Sequence, residues 1–190
     1  MKLVAIEGID GAGKTTLANS LRPKLVGYKV IVTSEPFDVQ ISSLIARSGW
    51  EDGILLTLLF AADRAIHVNW MRAQNADLIL TDRYFYSSMA YQSSLGIDQE
   101  WIAEVNSYFP KPDLTVLLDL DPSVARSRLK RDTYDFRRKW DSLPNVRKRY
   151  LELASKFGFL VVDASKPQEE VLNAVLPHIL NLLGRSQEVS

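Results

Sequence analysis

Between Glu7 and Leu17 the chain reads GIDGAGKTT, and this run limits what the rest can fold into. Gly8, Gly13, Lys14 and Thr15 fit G-x-x-x-x-G-K-[ST]. The apolar run KLVAIE precedes the motif and a helical pattern follows it, which is the setting a phosphate-binding loop requires. Glycines let successive backbone N–H groups point inward as an anion nest, and the helix that starts at Lys14 adds its positive end. Lys14 is placed to bridge β- and γ-phosphates and the Thr15 hydroxyl to bind Mg²⁺.

A loop of this kind sits at the end of a parallel sheet, and the remaining sequence supplies one. Strands are expected over 2–7, 28–33, 77–82, 113–120 and 158–164, each a run of apolar and β-branched residues. Helical patterns fill the intervals: 14–25, 40–47, 52–74, helices after a polar turn at 83 through 109, 122–131, 143–157 and 167–183. The last should bend near Pro177, and the tail 185–190 should fray. Five strands alternating with helices imply a three-layer α/β fold of the P-loop NTPase type, one domain over 1–190.

Composition narrows the partners. Lys plus Arg (23) equals Asp plus Glu (23), so nucleic acid and anionic membranes are not expected. With no cysteine, disulfides, thiolate metal sites and Cys nucleophiles are excluded. The N-terminus carries no signal-like segment and the apolar stretches fall short of a membrane span, so a cytoplasmic protein is expected.

The loop alone does not separate switch, motor and kinase. A GTPase needs N-K-x-D and, beyond the phosphate loop, a D-x-x-G after a strand, and neither is present. A motor needs coupling motifs after its Walker-B acid. LILTD supplies the strand and the acid, Asp82, but DRYFYSSMAYQ follows. Asp82 ends a strand, where open parallel sheets place their ligand groups, and can take metal-bound water. Arg83 beside it points toward the same phosphates. On their own, an Asp–Arg pair is as often structural, and Tyr84, Tyr86 and Tyr91 are packing residues.

Residues 82–92 closely resemble the thymidylate kinase signature D-R-Y-x-x-S-x-x-A-Y-Q. IEGIDGAGKTT is similar to that family's phosphate loop, in the form with Gly11 in place of Arg. LFAADR resembles its L-F-x-A-x-R, and LDLDPSVARSRLKR, VRKRYLELA and VVDASKPQEEV resemble later segments, in order from Val4 to Val171. The resemblance implies phosphoryl transfer from ATP to dTMP with Mg²⁺. Gly8, Gly11, Ala12, Gly13, Lys14, Thr15 and Thr16 would hold ATP, with Thr15 and Asp82 at the metal. Asp10 would contact the acceptor's 3′-hydroxyl and the metal–phosphate region, and Arg83 would lie between donor and acceptor phosphates. Phe60 would stack on thymine, and Arg64, one turn on, would bond a base carbonyl. Pro36, Ser87, Ser88 and Gln92 would line the acceptor pocket, with Tyr91 under the sugar where a 2′-hydroxyl would project. Arg128 would pack on adenine beside Ala164 and Ser165.

Two departures stand out. After the second strand the family's R-E-P-G-G-T becomes SEPFDVQ, which keeps Glu35 and Pro36 but loses the arginine; Arg47 is a possible substitute. The lid, about 130–140, is short and lacks R-x-E. The Gly11 form draws its transition-state cation from the lid, so Lys130, Arg131, Arg137 and Arg138 are candidates, with Arg131 and Arg137 favoured as catalytic. The resemblance also implies a homodimer through the apolar helix GILLTLLFAADRAIHV. Two other readings stay open: a nucleoside or nucleotide kinase of different or broader acceptor choice, and a nucleotide-binding regulator with weak catalysis.

Overall fold

A computed structural model describes residues 1–128 and 137–184, without the side chains of 137–140. The expected frayed tail and most of the expected lid, including Lys130 and Arg131, lie outside these residues. So do the side chains of Arg137 and Arg138, whose backbone opens a helix.

Five strands form one parallel sheet: β1 (Lys2–Glu7), β2 (Val30–Ser34), β3 (Leu78–Asp82), β4 (Leu114–Asp119) and β5 (Leu160–Asp163), in the order β2-β3-β1-β4-β5. β1 is central. Ile6 is opposite Asp82 on one side and Val116 on the other. Val4, Ala5 and Ile6 of β1 and Leu78, Ile79 and Leu80 of β3 are fully buried, because helices cover both faces. On one face α1 (Lys14–Leu21) packs on β3 and on α8 (Gln168–Leu182). On the other, α4 (Phe85–Ser94) packs on α7 (Arg137–Phe157) and on α3 (Gly53–Arg72). The remaining helices are α2 (Val39–Ser48), α5 (Gln99–Val105) and α6 (Pro122–Arg128).

The expected elements are all present, with shifted ends. α1 stops at Leu21, short of the expected Leu25, and a single 3₁₀ turn Arg22–Lys24 follows. Pro23 lacks the N–H to continue an α-helix. α7 starts at Arg137 rather than 143, with Pro144 inside it. Tertiary packing of Leu143, Val146 and Tyr150, all buried, carries the helix through Pro144. α8 likewise remains helical through Pro177.

One expectation is corrected. α3, at 20 residues, is long and apolar enough by length and composition to cross a membrane. Here it is a layer of the fold, and its Asp63, Arg64 and His67 are buried against the β2 side of the sheet.

Candidate active site

The phosphate loop leaves β1 at Gly8, which has φ 142°. A Cβ there would stand 2.6 Å from the Leu118 carbonyl oxygen, so only glycine lets the loop cross the end of β4 this closely. Lys14 is buried and its Nζ donates to the Ile9 carbonyl at 3.0 Å. Burial, then repulsion from Arg83, brings its pKa down to about 8, with Asp82, Asp10 and Glu7 pulling the other way. The ammonium is thus held under the loop by one carbonyl, ready to exchange it for phosphate oxygens. At the head of α1 the Thr15 hydroxyl donates to the Asp82 carboxylate. A hydroxyl and a carboxylate beside a phosphate cradle are the hard oxygen donors Mg²⁺ takes when phosphates and waters complete its shell. No group of three or more His, Asp or Glu side chains forms an all-protein cage among the described residues.

The second half of the site hangs from the end of β3. Arg83 has φ 74°, the one non-glycine residue with a positive φ among those described. Such a conformation persists where surroundings over-determine it, and here they do. Its N–H bonds the Ile6 carbonyl at 2.9 Å. Its guanidinium reaches Asp10 Oδ1 at 2.7 Å and Ser87 Oγ at 3.1 Å, with its carbon 5.1 Å from the Tyr91 ring centre. Burial opposes the charge, but Tyr91, Asp10 and Tyr150 outweigh it and hold Arg83 firmly cationic. Asp10, Arg83 and Tyr91 lock together, as the Tyr91 hydroxyl donates to Asp10 Oδ2 at 3.0 Å and accepts the Asp10 N–H at 3.2 Å.

On the donor side, Gly11, Ala12, Gly13, Thr16, Arg128 and Ala164 line a cavity of about 280 Å³. Arg128 donates to the Ala164 carbonyl at 3.1 Å and the Gly11 carbonyl at 3.5 Å, bridging the loop to the β5–α8 turn. Ser165 bonds Asp163, both through its N–H at 2.9 Å and its hydroxyl at 2.6 Å, and this fixes that turn.

On the acceptor side the expected residues do not all share one surface. Phe60 is half-buried, with Trp50 between it and Tyr91: Trp50 lies 6.5 Å from the first ring and 5.7 Å from the second. Arg64 is 1% exposed and its guanidinium is engaged by Glu35 (2.6 and 3.0 Å), by Asn106 and by Ser88 at 3.4 Å. Ser88 thus belongs to the Arg64 cluster, whereas Ser87 turns toward Arg83 and Glu7. Gln92 is 1% exposed, and its amide nitrogen and oxygen both lack a partner among the described residues. A buried amide with an unmet donor and acceptor suits a ligand edge that offers both. Pro36 follows a cis peptide bond after Glu35. Arg47 is exposed and bonds back to the Ser43 carbonyl of its own helix at 3.3 Å.

Four residues were not singled out from sequence. Glu7 is fully buried below the loop. Trp50 joins the aromatic wall. Asp63 accepts the N–H groups of Phe37 and Asp38 at 2.7–2.9 Å and so ties the β2–α2 loop to α3. Tyr150, from α7, reaches Glu7 at 3.0 Å. The signals available were an acid interrupting a buried strand and charges inside an apolar helix.

Phosphate loop, strand-end Asp–Arg pair and a 2-3-1-4-5 parallel sheet together make this a nucleotide kinase of the P-loop class. Within that class the chain belongs to the thymidylate kinase family, whose family model matches residues 6–175. It is 57% identical over 179 residues to a probable thymidylate kinase 1 of Saccharolobus solfataricus, covering 92% of this chain and 95% of that protein. It is 49% identical to a probable thymidylate kinase of Sulfurisphaera tokodaii, covering 96% of this chain and 97% of that one. A third relative, from Metallosphaera sedula, is 48% identical, with 98% and 96% covered.

Proposed function

We propose that the protein transfers the γ-phosphoryl group of ATP to dTMP, with Mg²⁺ bound at Thr15 and Asp82, yielding ADP and dTDP. The observation that carries this reading is the convergence of Lys14, Asp10 and Arg83 where the phosphate loop meets the end of β3. Donor and acceptor phosphates entering from the two sides meet at Arg83. The loop amides and Lys14 neutralise the donor, and Mg²⁺ adds charge stabilisation there. Arg83 balances charge on the equatorial oxygens, and Asp10 keeps it aimed. Arg128, Ala164 and Ser165 flank the adenine. Phe60, Trp50, Arg64, Ser88, Gln92 and Tyr91 form the nucleoside side, and the unpartnered Gln92 amide suits the paired donor and acceptor of a thymine edge.

The lid arginines, with Arg131 and Arg137 first, supply further cations. The working form is a cytoplasmic homodimer of single-domain chains joined along α3, where Ile54, Leu55, Leu58 and Ile66 are exposed. The changed segment SEPFD favours testing a wider acceptor range. A panel of dTMP, dUMP, UMP, dCMP and thymidine with Mg·ATP decides this: dTMP is expected to have the highest kcat/KM, and preference for a nucleoside or another monophosphate would overturn the assignment.

A further inference from the structure

Glu7 ends β1 with none of its surface exposed and no part in the reading above. Its two oxygens are used differently. Oε1 accepts the backbone N–H groups of Tyr84 at 2.9 Å and Ser87 at 3.2 Å. Oε2 accepts the Ser87 hydroxyl at 2.6 Å and the Tyr150 hydroxyl at 3.0 Å. Ser87 Oγ in turn accepts from Arg83 Nη1 at 3.1 Å, and Arg83 Nη2 reaches Asp10. One hydroxyl therefore stands between a buried acid and the cation aimed at the phosphates.

We propose that Glu7 is a positioning residue: through the 84–87 turn and the Ser87 hydroxyl it sets where the Arg83 guanidinium stands, without touching either nucleotide. This rests on the reading of Arg83 as the cation between the phosphates. The left-handed Arg83 backbone needs an anchor on its C-terminal side, and Glu7 provides it by holding the next residue's N–H.

The arrangement also responds to protonation. The backbone donors on Oε1 cannot turn, but the hydroxyls on Oε2 can, so a proton settles on Oε2. Ser87 then changes from donor to acceptor, and the negative charge facing Arg83 is gone. Burial pushes the Glu7 carboxyl up to about 7, while Ser87, Arg83, Tyr150 and the Tyr84 N–H limit the rise. The other charged or titratable groups facing it are Lys14 of α1 and Tyr86 of α4. Because the folded value is raised, the carboxylate form prevails above about pH 7 and is lost below it.

The test is kcat and KM with dTMP and ATP from pH 6 to 9 for wild type, Glu7→Gln and Tyr150→Phe. Glutamine keeps an acceptor for the two N–H groups and a donor for the hydroxyls, so that variant retains the fold. Glu7→Gln is expected to lower kcat at pH 8 about tenfold, the scale of a slightly misaimed group, with both KM values little changed. Its profile should lack the wild-type acid limb near pH 7. The acceptor phosphate, titrating near 6, contributes equally to both proteins and cancels in the comparison. Tyr150→Phe removes a donor to the carboxylate, so its limb should move to higher pH with the plateau kept. In the ligand-free protein, the ¹⁵N signals of the Arg83 guanidinium, assigned by comparison with Arg83→Lys, should show a step near pH 7 in wild type that Glu7→Gln lacks, while the step near 8 from Lys14 is common to both. A Glu7→Gln variant that matches wild type in turnover profile and guanidinium signals overturns the proposal. If the wild type fails to turn over dTMP, the functional assignment falls, and the guanidinium signals still decide the role of Glu7.

Discussion

Lys14 carries a burden that its neighbours make harder. Buried, and facing Arg83, it loses its proton at about pH 8 in the free loop. Phosphate oxygens favour the ammonium, so donor binding must take up a proton once the pH exceeds that value. The KM for ATP is therefore expected to rise up to about tenfold per pH unit above 8, measured by steady-state titration at saturating dTMP. Lys14→Ala should reduce turnover on the order of a hundredfold or more, as loss of a preorganised donor does. Tyr91 makes a second case. Its ring lies under Arg83 and its hydroxyl is committed to Asp10, so a 2′-hydroxyl set against it would be desolvated without a partner. That costs about 1–3 kcal/mol, or roughly 10 to 150-fold between dUMP and UMP in kcat/KM. Tyr91→Ala should collapse that ratio while the KM for ATP holds. Gly8, Lys14, Thr15 and Asp82 were legible because their chemistry requires those residue types at fixed spacing. Glu7, Trp50 and Asp63 were not, because a single acid or ring takes on meaning only through partners distant in the chain. The partners of Glu7, for example, are 77 to 143 residues away.

Among the elements, the joint between α2 and α3 lies where the sequence departs from R-E-P-G-G-T. Asp38 caps α2 by accepting the N–H groups of Gln40 and Ile41, and Asp63 of α3 holds the backbone just before it. Phe37 stacks on His67 at 4.6 Å, and Glu35 binds Arg64 and His67 together. A loop without glycines or arginine is thus fastened to α3 by buried polar contacts. Asp63→Ala leaves two N–H groups unmet, at about 2–4 kcal/mol, and should lower Tm by roughly 5–15 °C. At a temperature where the variant stays folded, its KM for dTMP should rise more than its KM for ATP. Strand and helix identities were readable from apolar periodicity throughout. The ends of α1 and α7 were not: Pro23 broke a pattern that looked continuous, and buried Leu143, Val146 and Tyr150 carried a helix across Pro144. The lid arginines are tested at this scale too. Replacing Arg131, Arg137 and Arg138 singly with Met should lower kcat more than it raises KM for at least one of them. Unchanged kcat in all three would remove the lid from the mechanism.

For the molecule as a whole, the exposed side of α3 sets the expected assembly. Ile54 is 55% exposed and Leu58 49%, on a helix whose other side carries the buried Asp63, Arg64 and His67. Light scattering at micromolar concentration should give twice the 21.5 kDa chain mass, and Leu55→Glu with Leu58→Glu should give the monomer. A second consequence follows from β1 lying between β3 and β4. The phosphate loop grows directly from this strand, and Arg83 is tied back to it through the Ile6 carbonyl. In the proposed reaction both reactants are therefore gauged from one common datum. The span between attacking and leaving oxygens does not pass through a chain of joints whose errors add up.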